Sequence, residues 1–231
     1  MLVYGRNVCE ELLKKDKDIN KIYLQDNYGD KSIISLIENK KLSCKYLPKQ
    51  KMDSLCNGVH QGIIFDVPEY RYSSLEEVMD NSEVIVILDH LEDPHNFGAI
   101  ARTCEAAGID SIIIPNDRSV DVNGTVCKTS VGTIFDIKVS KVTNLVNTIN
   151  VLKDNGYWIV GTSLDTNIDF KSIDYSGKIC LVIGNEGAGI SKLVAKNCDY
   201  LTKIPMYGTT NSLNASVAAG IMIYEIIRNR K

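Results

Sequence analysis

The sequence predicts an α/β protein, with a small N-terminal α/β unit followed by a larger parallel sheet that carries helices on both faces. Three observations predict it. From residue 84 onward strand patterns alternate with helix patterns, as repeated βαβ units do. The runs Val84–Leu88 and Ile179–Ile183 are continuously apolar, as strands covered on both faces are. After Pro68 the polar stretch EYRYSSLEEVMDNSE divides the chain into residues 1–68, a linker at 69–83 and residues 84–231.

The elements follow in order. Tyr4–Lys15 reads as a helix with Val8, Leu12 and Leu13 on one face. Lys21–Leu24 reads as a strand, Ser32–Asn39 as a helix, and Cys44–Leu47 and Gly62–Val67 as strands. Ser74–Met79 suits one short helix inside the linker. In the second unit Phe97, Ile100, Ala101, Cys104 and Ala107 fall at helical spacing, and Gly108 stands where a helix ends. Ser111–Ile114 is the next strand, closed by Pro115; Trp158–Gly161 is another, and Leu213–Ile227 is the last helix.

Composition excludes several function classes. No apolar run approaches the roughly 20 residues that span a bilayer, and the N-terminus turns charged at once. These features predict a soluble, cytoplasmic protein with no membrane partner. The seven cysteines are widely spaced without a CxxC pair, so they read as reduced side chains rather than a disulfide framework or zinc site. His60, His90 and His95 lack ligand spacing and read as turn or surface residues, so no metal is expected. A net charge of −3 argues against an indiscriminate nucleic-acid binder. Residues 1–72 carry 12 basic and 10 acidic side chains against 14 and 19 in the remainder, which points any RNA contact toward the N-terminal part.

Three motifs carry chemistry. The first is DHLEDPHNFGAIARTCEAAG, Asp89–Gly108, in which a strand ends, a turn follows and a helix starts. Ligands in open α/β sheets sit beyond the carboxyl ends of strands. Asn96 reads either as a helix N-cap or as a site residue. Arg102, on a helix of small apolar residues, either snorkels at the edge or meets an anion. The second is IGNEGAGIS, Ile183–Ser191, whose glycines let the backbone approach a flat ligand or simply make a tight turn. It lacks the third glycine of a dinucleotide fingerprint, which excludes a nucleotide-dependent oxidoreductase. Glu186 is its odd member, because a carboxylate in a tight loop needs a partner. The third is IPMYGTTNSLNASVAAGIMIYE, Ile204–Glu225, a polar loop that leads into a helix capped by Ser212 or Asn211. Capping needs one polar residue, and the stretch supplies six.

Taken together, these motifs resemble the SpoU (TrmH) family of RNA ribose methyltransferases, and most closely its RlmB branch, which modifies a guanosine of large-subunit ribosomal RNA. VYGRNVCEELL, VHQGIIFDV, VTNL and WIVGT extend the resemblance over nearly the whole chain. It implies a SPOUT catalytic domain whose C-terminal part forms a trefoil knot, a small N-terminal RNA-binding domain, and a homodimer. It also implies S-adenosyl-L-methionine as methyl donor, with no metal. The partner is RNA, ribosomal RNA ahead of transfer RNA; a catalytically silent RNA-binding protein on the same scaffold is the rival of a different class. Carried over residue by residue, the resemblance assigns Arg102 as catalytic arginine, oriented by Asn96, with Glu186, Ser212 and Asn214 completing the catalytic set. It assigns Thr162, Gly184, Asn185, Gly187, Ile204, Met206 and Leu213 to the cofactor. Phe97 and Ala215 depart from the family's usual leucine and valine without touching the chemistry.

Overall fold

Gly5, at φ 110°, separates the first strand from the first helix in the computed structural model, which describes residues 1–230. The chain divides into two units, one formed by residues 1–71 with 121–135, the other by residues 72–120 with 136 onward.

In the first unit β1 (Leu2–Tyr4), α1 (Arg6–Lys14), β2 (Lys21–Gln25), α2 (Lys31–Asn39), β3 (Cys44–Leu47), α3 (Lys49–Asp53) and β4 (Ile63–Asp66) follow one another. The sheet order is β1-β4-β2-β3, with only the β2–β3 pair parallel. Val8, Leu12 and Leu13 of α1 are buried, as their spacing requires. The helix expected from Tyr4 starts at Arg6 instead. Tyr4 pairs with Ile64 of β4, and the backbone of Gly5 lies in a region closed to a right-handed helix. On one sheet face Tyr4, Ile64 and Met52 form a buried cluster.

The second unit opens with α4 (Leu75–Met79). Ser74 caps it in a capping box with Glu77, and Val78 is fully buried in the main core. Then come β5 (Val84–Asp89), α5 (Pro94–Ala106) and β6 (Ser111–Pro115). Residues 121–135, with α6 (Gly124–Thr129), pack with the first unit. The second unit resumes with β7 (Lys138–Val142), α7 (Leu145–Asp154), β8 (Tyr157–Thr162), β9 (Lys178–Gly184), α8 (Lys192–Asn197), β10 (Tyr200–Thr202) and α9 (Ala215–Arg228). Its six strands run in the order β10-β8-β9-β5-β6-β7, and each neighbouring pair is parallel. Every residue of β5 and β6 is buried. On one face Ile85, Ile87, Tyr157, Ile159 and Val182 pack against Leu145, Ile149 and Leu152 of α7 and Val194 of α8. Helix α9 packs on β9 and on α5.

Two further helix starts differ from the sequence reading. Asp93, not Asn96, caps α5 by accepting from the His95 amide, and Pro94 occupies the first turn, where its missing N–H costs nothing. Asn96 therefore lies inside the helix and is buried. Asn214, rather than Ser212 or Asn211, caps α9 and accepts from the Ser216 and Val217 amides. No helix among the described residues is long and apolar enough to cross a membrane.

The strand order fixes where a ligand can sit. The chain lays down β5, β6 and β7 in one direction, then places β8, β9 and β10 on the other side of β5. The order reverses between β5 and β9, whose last residues Asp89 and Gly184 stand opposite each other. Such a reversal opens a crevice at the carboxyl ends of the strands.

Candidate active site

A cavity of about 360 Å³ opens at the carboxyl ends of β8, β9 and β10. Three loops wall it, and each begins where a strand stops. Thr162 ends β8, Gly184 ends β9 with Asn185 and Gly187 following it, and Ile204 and Met206 follow β10. Leu213, just before α9, completes the lining. All seven positions assigned to the cofactor thus border one space, although they lie up to 51 residues apart in sequence. Ile183, Ile204, Leu213 and Ala218 make its apolar wall. Ser163, Leu164, Asp165 and Lys203 also line it; nothing in their residue types marked them in the sequence, beyond their following a strand.

Glu186 and Ser212 line the cavity, whereas Asn96, Asn214 and Arg102 do not. Asn96 Nδ2 donates to Glu186 Oε1 at 2.7 Å, and Asn214 Nδ2 donates to Asn96 Oδ1 at 2.9 Å. One carboxamide therefore ties the second motif's loop to the start of α9, and supplies the partner that the Glu186 carboxylate required. Both ends of Asn96 are engaged by these two residues, so Arg102 is not held by it. Six residues further along α5, Arg102 sits about 9 Å along the axis and on another face of the helix. It is exposed, and it forms no hydrogen bond or ion pair with any described residue. Ser212 is exposed and likewise forms no hydrogen bond with a described residue.

Asp89, which opens the first motif, and His90, which reads as a turn or surface residue in the sequence, hold the cavity's central loop. Asp89 is buried, and its Oδ2 accepts from the Ser191 amide at 2.6 Å. Its Oδ1 meets His90 Nδ1 at 2.5 Å. His90, at φ 57°, turns its carbonyl to accept from Asn185 Nδ2 at 2.8 Å. Asn185 Oδ1 in turn accepts from the Gly187 amide. Both ends of the loop over residues 185–191 are thereby fastened to the end of β5. The left-handed backbone at His90 is a strained choice for a non-glycine residue, and these bonds hold it there. Their signal was the position of Asp89 at a strand end, one residue before a turn. Asp89→Ala is expected to leave donors of the loop unpaired and cost about 1–3 kcal/mol. At about 2–4 °C per kcal/mol for a chain of this size, a calorimetric melt reads that loss directly; an unchanged midpoint would show that the loop is held elsewhere.

Thiol chemistry has no place here. Burial pushes the Cys104 and Cys198 thiols up to about 12, so neither supplies a thiolate near neutral pH. Among the described residues no group of three or more His, Cys, Asp or Glu side chains is arranged to hold a metal. What the geometry offers is a partly apolar pocket of backbone-rich loops, a carboxylate fixed at its edge, and a free guanidinium on a neighbouring helix.

Comparison with known proteins narrows this chemistry. The family model described as "SpoU rRNA Methylase family" matches residues 83–224, and that described as "RNA 2'-O ribose methyltransferase substrate binding" matches residues 2–73. A Staphylococcus saprophyticus protein named for the TrmH family of tRNA/rRNA methyltransferases is 43% identical over 239 residues, covering 100% of this chain and 96% of its own. The AdoMet-bound rRNA methyltransferase of Sinorhizobium meliloti superposes with a TM-score of 0.79 at 26% identity, over 98% of this chain and 86% of its own. The TrmH/SpoU tRNA modifying enzyme of A. aeolicus is 33% identical and superposes with a TM-score of 0.59, over 68% of this chain and 82% of its own.

Proposed function

The chain belongs to the SpoU (TrmH) family of RNA methyltransferases, and from that premise we propose that it methylates a ribose 2′-hydroxyl of RNA with S-adenosyl-L-methionine as donor. The observation that carries the proposal is the convergence of Thr162, Gly184 and Ile204, from the ends of three separate strands, together with Leu213, on one cavity. The residues present fit the donor. A volume of about 360 Å³ lies in the range of about 300–1,000 Å³ typical of small-molecule pockets. The apolar wall suits a flat heterocycle, and the exposed stretch of residues 186–189 suits its polar edge. When bound, S-adenosyl-L-methionine supplies an electrophilic sulfonium methyl.

The chain's own residues do the rest. Thr162, Gly184, Asn185, Gly187, Ile204, Met206 and Leu213 hold the donor. Glu186, fixed by Asn96, and Asn214, also bound to Asn96, keep two of the pocket's loops in register, so that a ribose presented at the mouth meets the methyl in line; positioning of this kind contributes several kcal/mol. Ser212 orients the ribose. Arg102 acts as a fixed cation, as arginine side chains do in proteins. It stabilises the alkoxide that develops as the hydroxyl loses its proton, with a phosphate oxygen of the RNA as the acceptor.

The site is completed in a homodimer. Val217, Ile221 and Tyr224 of α9 are 50%, 36% and 54% exposed at i, i+4 and i+7 spacing, an apolar stripe with nothing to cover it in one chain. Thr103 and Gly220 mark the contact between α5 and α9, and Arg102 and Ile221 each stand one residue from it. A second copy on this stripe brings Arg102 to the interface. Ile221→Asp is expected to halve the mass seen by light scattering and to lower methyl transfer with it; an unchanged mass places the contact elsewhere. The C-terminal segment that carries Ile204 and Leu213 threads as the family's trefoil knot.

Large-subunit ribosomal RNA, at a guanosine as in the RlmB branch, is the proposed substrate. Support comes from the N-terminal unit: the substrate-binding family model covers it, the rRNA methyltransferase neighbour spans it, and the tRNA-modifying neighbour covers only 68% of this chain. Tritiated donor incubated with unmodified large-subunit ribosomal RNA and with transfer RNA, side by side, tests this. Label in the ribosomal RNA is expected; label confined to transfer RNA overturns the substrate, and cofactor binding with no transfer to either favours a binding protein.

A further inference from the structure

Tyr207 is 97% exposed, the most exposed large hydrophobic side chain of the second unit. It lies on the loop between β10 and α9, directly after Met206, which lines the cavity, and four residues before Asn211, which also lines it. The ring therefore stands at the rim of the pocket, with its phenol and both faces free. Beside it Thr209, Thr210, Asn211 and Ser212 are all exposed and form no hydrogen bond with any described residue. The α9 cap does not need them, because Asn214 performs it. Six successive residues at the mouth of a ligand cavity thus present an aromatic face and uncommitted donors and acceptors without contributing to packing.

We propose that this loop, residues 207–212, is the nucleobase-recognition element of the enzyme, with the Tyr207 ring stacking on an unstacked base at or next to the modified nucleotide. The inference rests on the RNA methyltransfer reading and deepens it. A 2′-hydroxyl can approach a buried methyl only if its nucleotide is drawn out of the helical stack. Its base then loses a neighbouring ring, and proteins that bind single-stranded RNA replace that ring with an aromatic side chain. Thr209, Thr210 and Asn211 supply the polar atoms that can read the base edge, Asn211 with both a donor and an acceptor. The loop is anchored at both ends, by the Lys203 amide to Ile168 O at 2.9 Å and by the Asn214 cap, so the recognising residues are displayed from fixed points.

Steady-state kinetics on the RNA labelled by wild type, with Tyr207→Ala, Tyr207→Phe and Tyr207→Leu, tests the proposal. Donor affinity is measured separately by calorimetry without RNA. Tyr207→Ala is expected to lower kcat/KM for RNA about 5- to 150-fold, which is the loss of one stacked base of about 1–3 kcal/mol, while donor affinity stays unchanged. Tyr207→Phe keeps the ring and retains most of the activity, and Tyr207→Leu behaves like the alanine variant. Wild-type KM in Tyr207→Ala, or rescue by leucine equal to that by phenylalanine, overturns stacking. An equal loss of donor affinity without RNA overturns it too, by making Tyr207 a cover for the donor. A second readout needs no turnover: Tyr207→Trp should show fluorescence quenched by a short single-stranded oligoribonucleotide, beyond that of the wild type's own Trp158. No added quenching sinks the stacking proposal whether or not the enzyme turns over. Quenching with no transfer by wild type to any RNA sinks the methyltransfer reading alone.

Discussion

Gly184→Ala is expected to remove S-adenosyl-L-methionine binding while leaving the sheet folded. Gly184 is the last residue of β9, and the loop after it closes back over it: Asn185 and Gly189 exchange backbone hydrogen bonds at 3.0 and 2.9 Å. A methyl group at position 184 would stand 2.1 Å from the Gly189 carbonyl carbon and 2.2 Å from the Ile190 nitrogen. Those are backbone atoms, so no side chain can rotate away, and the loop itself must move by more than 1 Å. Displacement of that size deforms the wall of the donor's pocket, and overpacking adds about 1–3 kcal/mol of lost stability. Calorimetric titration of the donor reads the first effect, and circular dichroism checks that the fold persists. Gly208→Ala, on the neighbouring loop, meets no atom within 4 Å and should bind the donor as wild type does. Normal donor affinity in Gly184→Ala would show that the loop over residues 184–190 does not shape the donor's pocket.

Arg102→Ala is expected to lower kcat by about 100- to 10,000-fold, the range typical for loss of an acid–base or charge-stabilising group. Donor affinity should not change, because Arg102 does not line the cavity. Folding should not change either, because the side chain is exposed and forms no bond with a described residue. That combination separates Arg102 from Asn96. Replacing the buried Asn96 frees the Glu186 carboxylate and loosens the start of α9, so its loss should affect stability as well as rate. Full turnover in Arg102→Ala would remove this residue from the mechanism.

The second unit was legible where burial is two-sided. Val84–Leu88 and Ile179–Ile183 read as central strands because every residue there is apolar, and they occupy the middle of the sheet. β7 gave no such signal. It is an edge strand, its sequence KVSKV carries two lysines, and only Val139 and Ser140 are buried; edge strands lack the apolar continuity that marks central ones. β10, three residues long, is too short for periodicity to register. The start of α5 was misplaced by three residues although Asp93-Pro94 is a common cap-and-first-turn pair, because the apolar pattern begins only at Phe97. Residues 121–135 illustrate a different limit. Their helix packs with the first unit, and no local pattern says which of two cores a short helix joins.

The site divides along the same line. The loops after β9 and β10 could be found as motifs, since each follows a strand, and the family resemblance assigned their residues; of the loop after β8 it assigned only Thr162. The bonds that join them are non-local: Asn96 reaches Glu186 across 90 positions, and His90 reaches Asn185 across 95. A polar residue type shows that a bond is wanted and not with whom. A threaded path is invisible to pattern altogether, because ordinary topology rules argue against it.

The central claim, methyl transfer to a ribose oxygen, is tested most directly by alkaline hydrolysis of RNA labelled by the wild-type enzyme from tritiated donor. A 2′-O-methyl blocks cleavage of the following phosphodiester, so the account predicts label in an alkali-resistant dinucleotide and none there with Arg102→Ala. Label released entirely in mononucleotides would place the methyl on a base and contradict it.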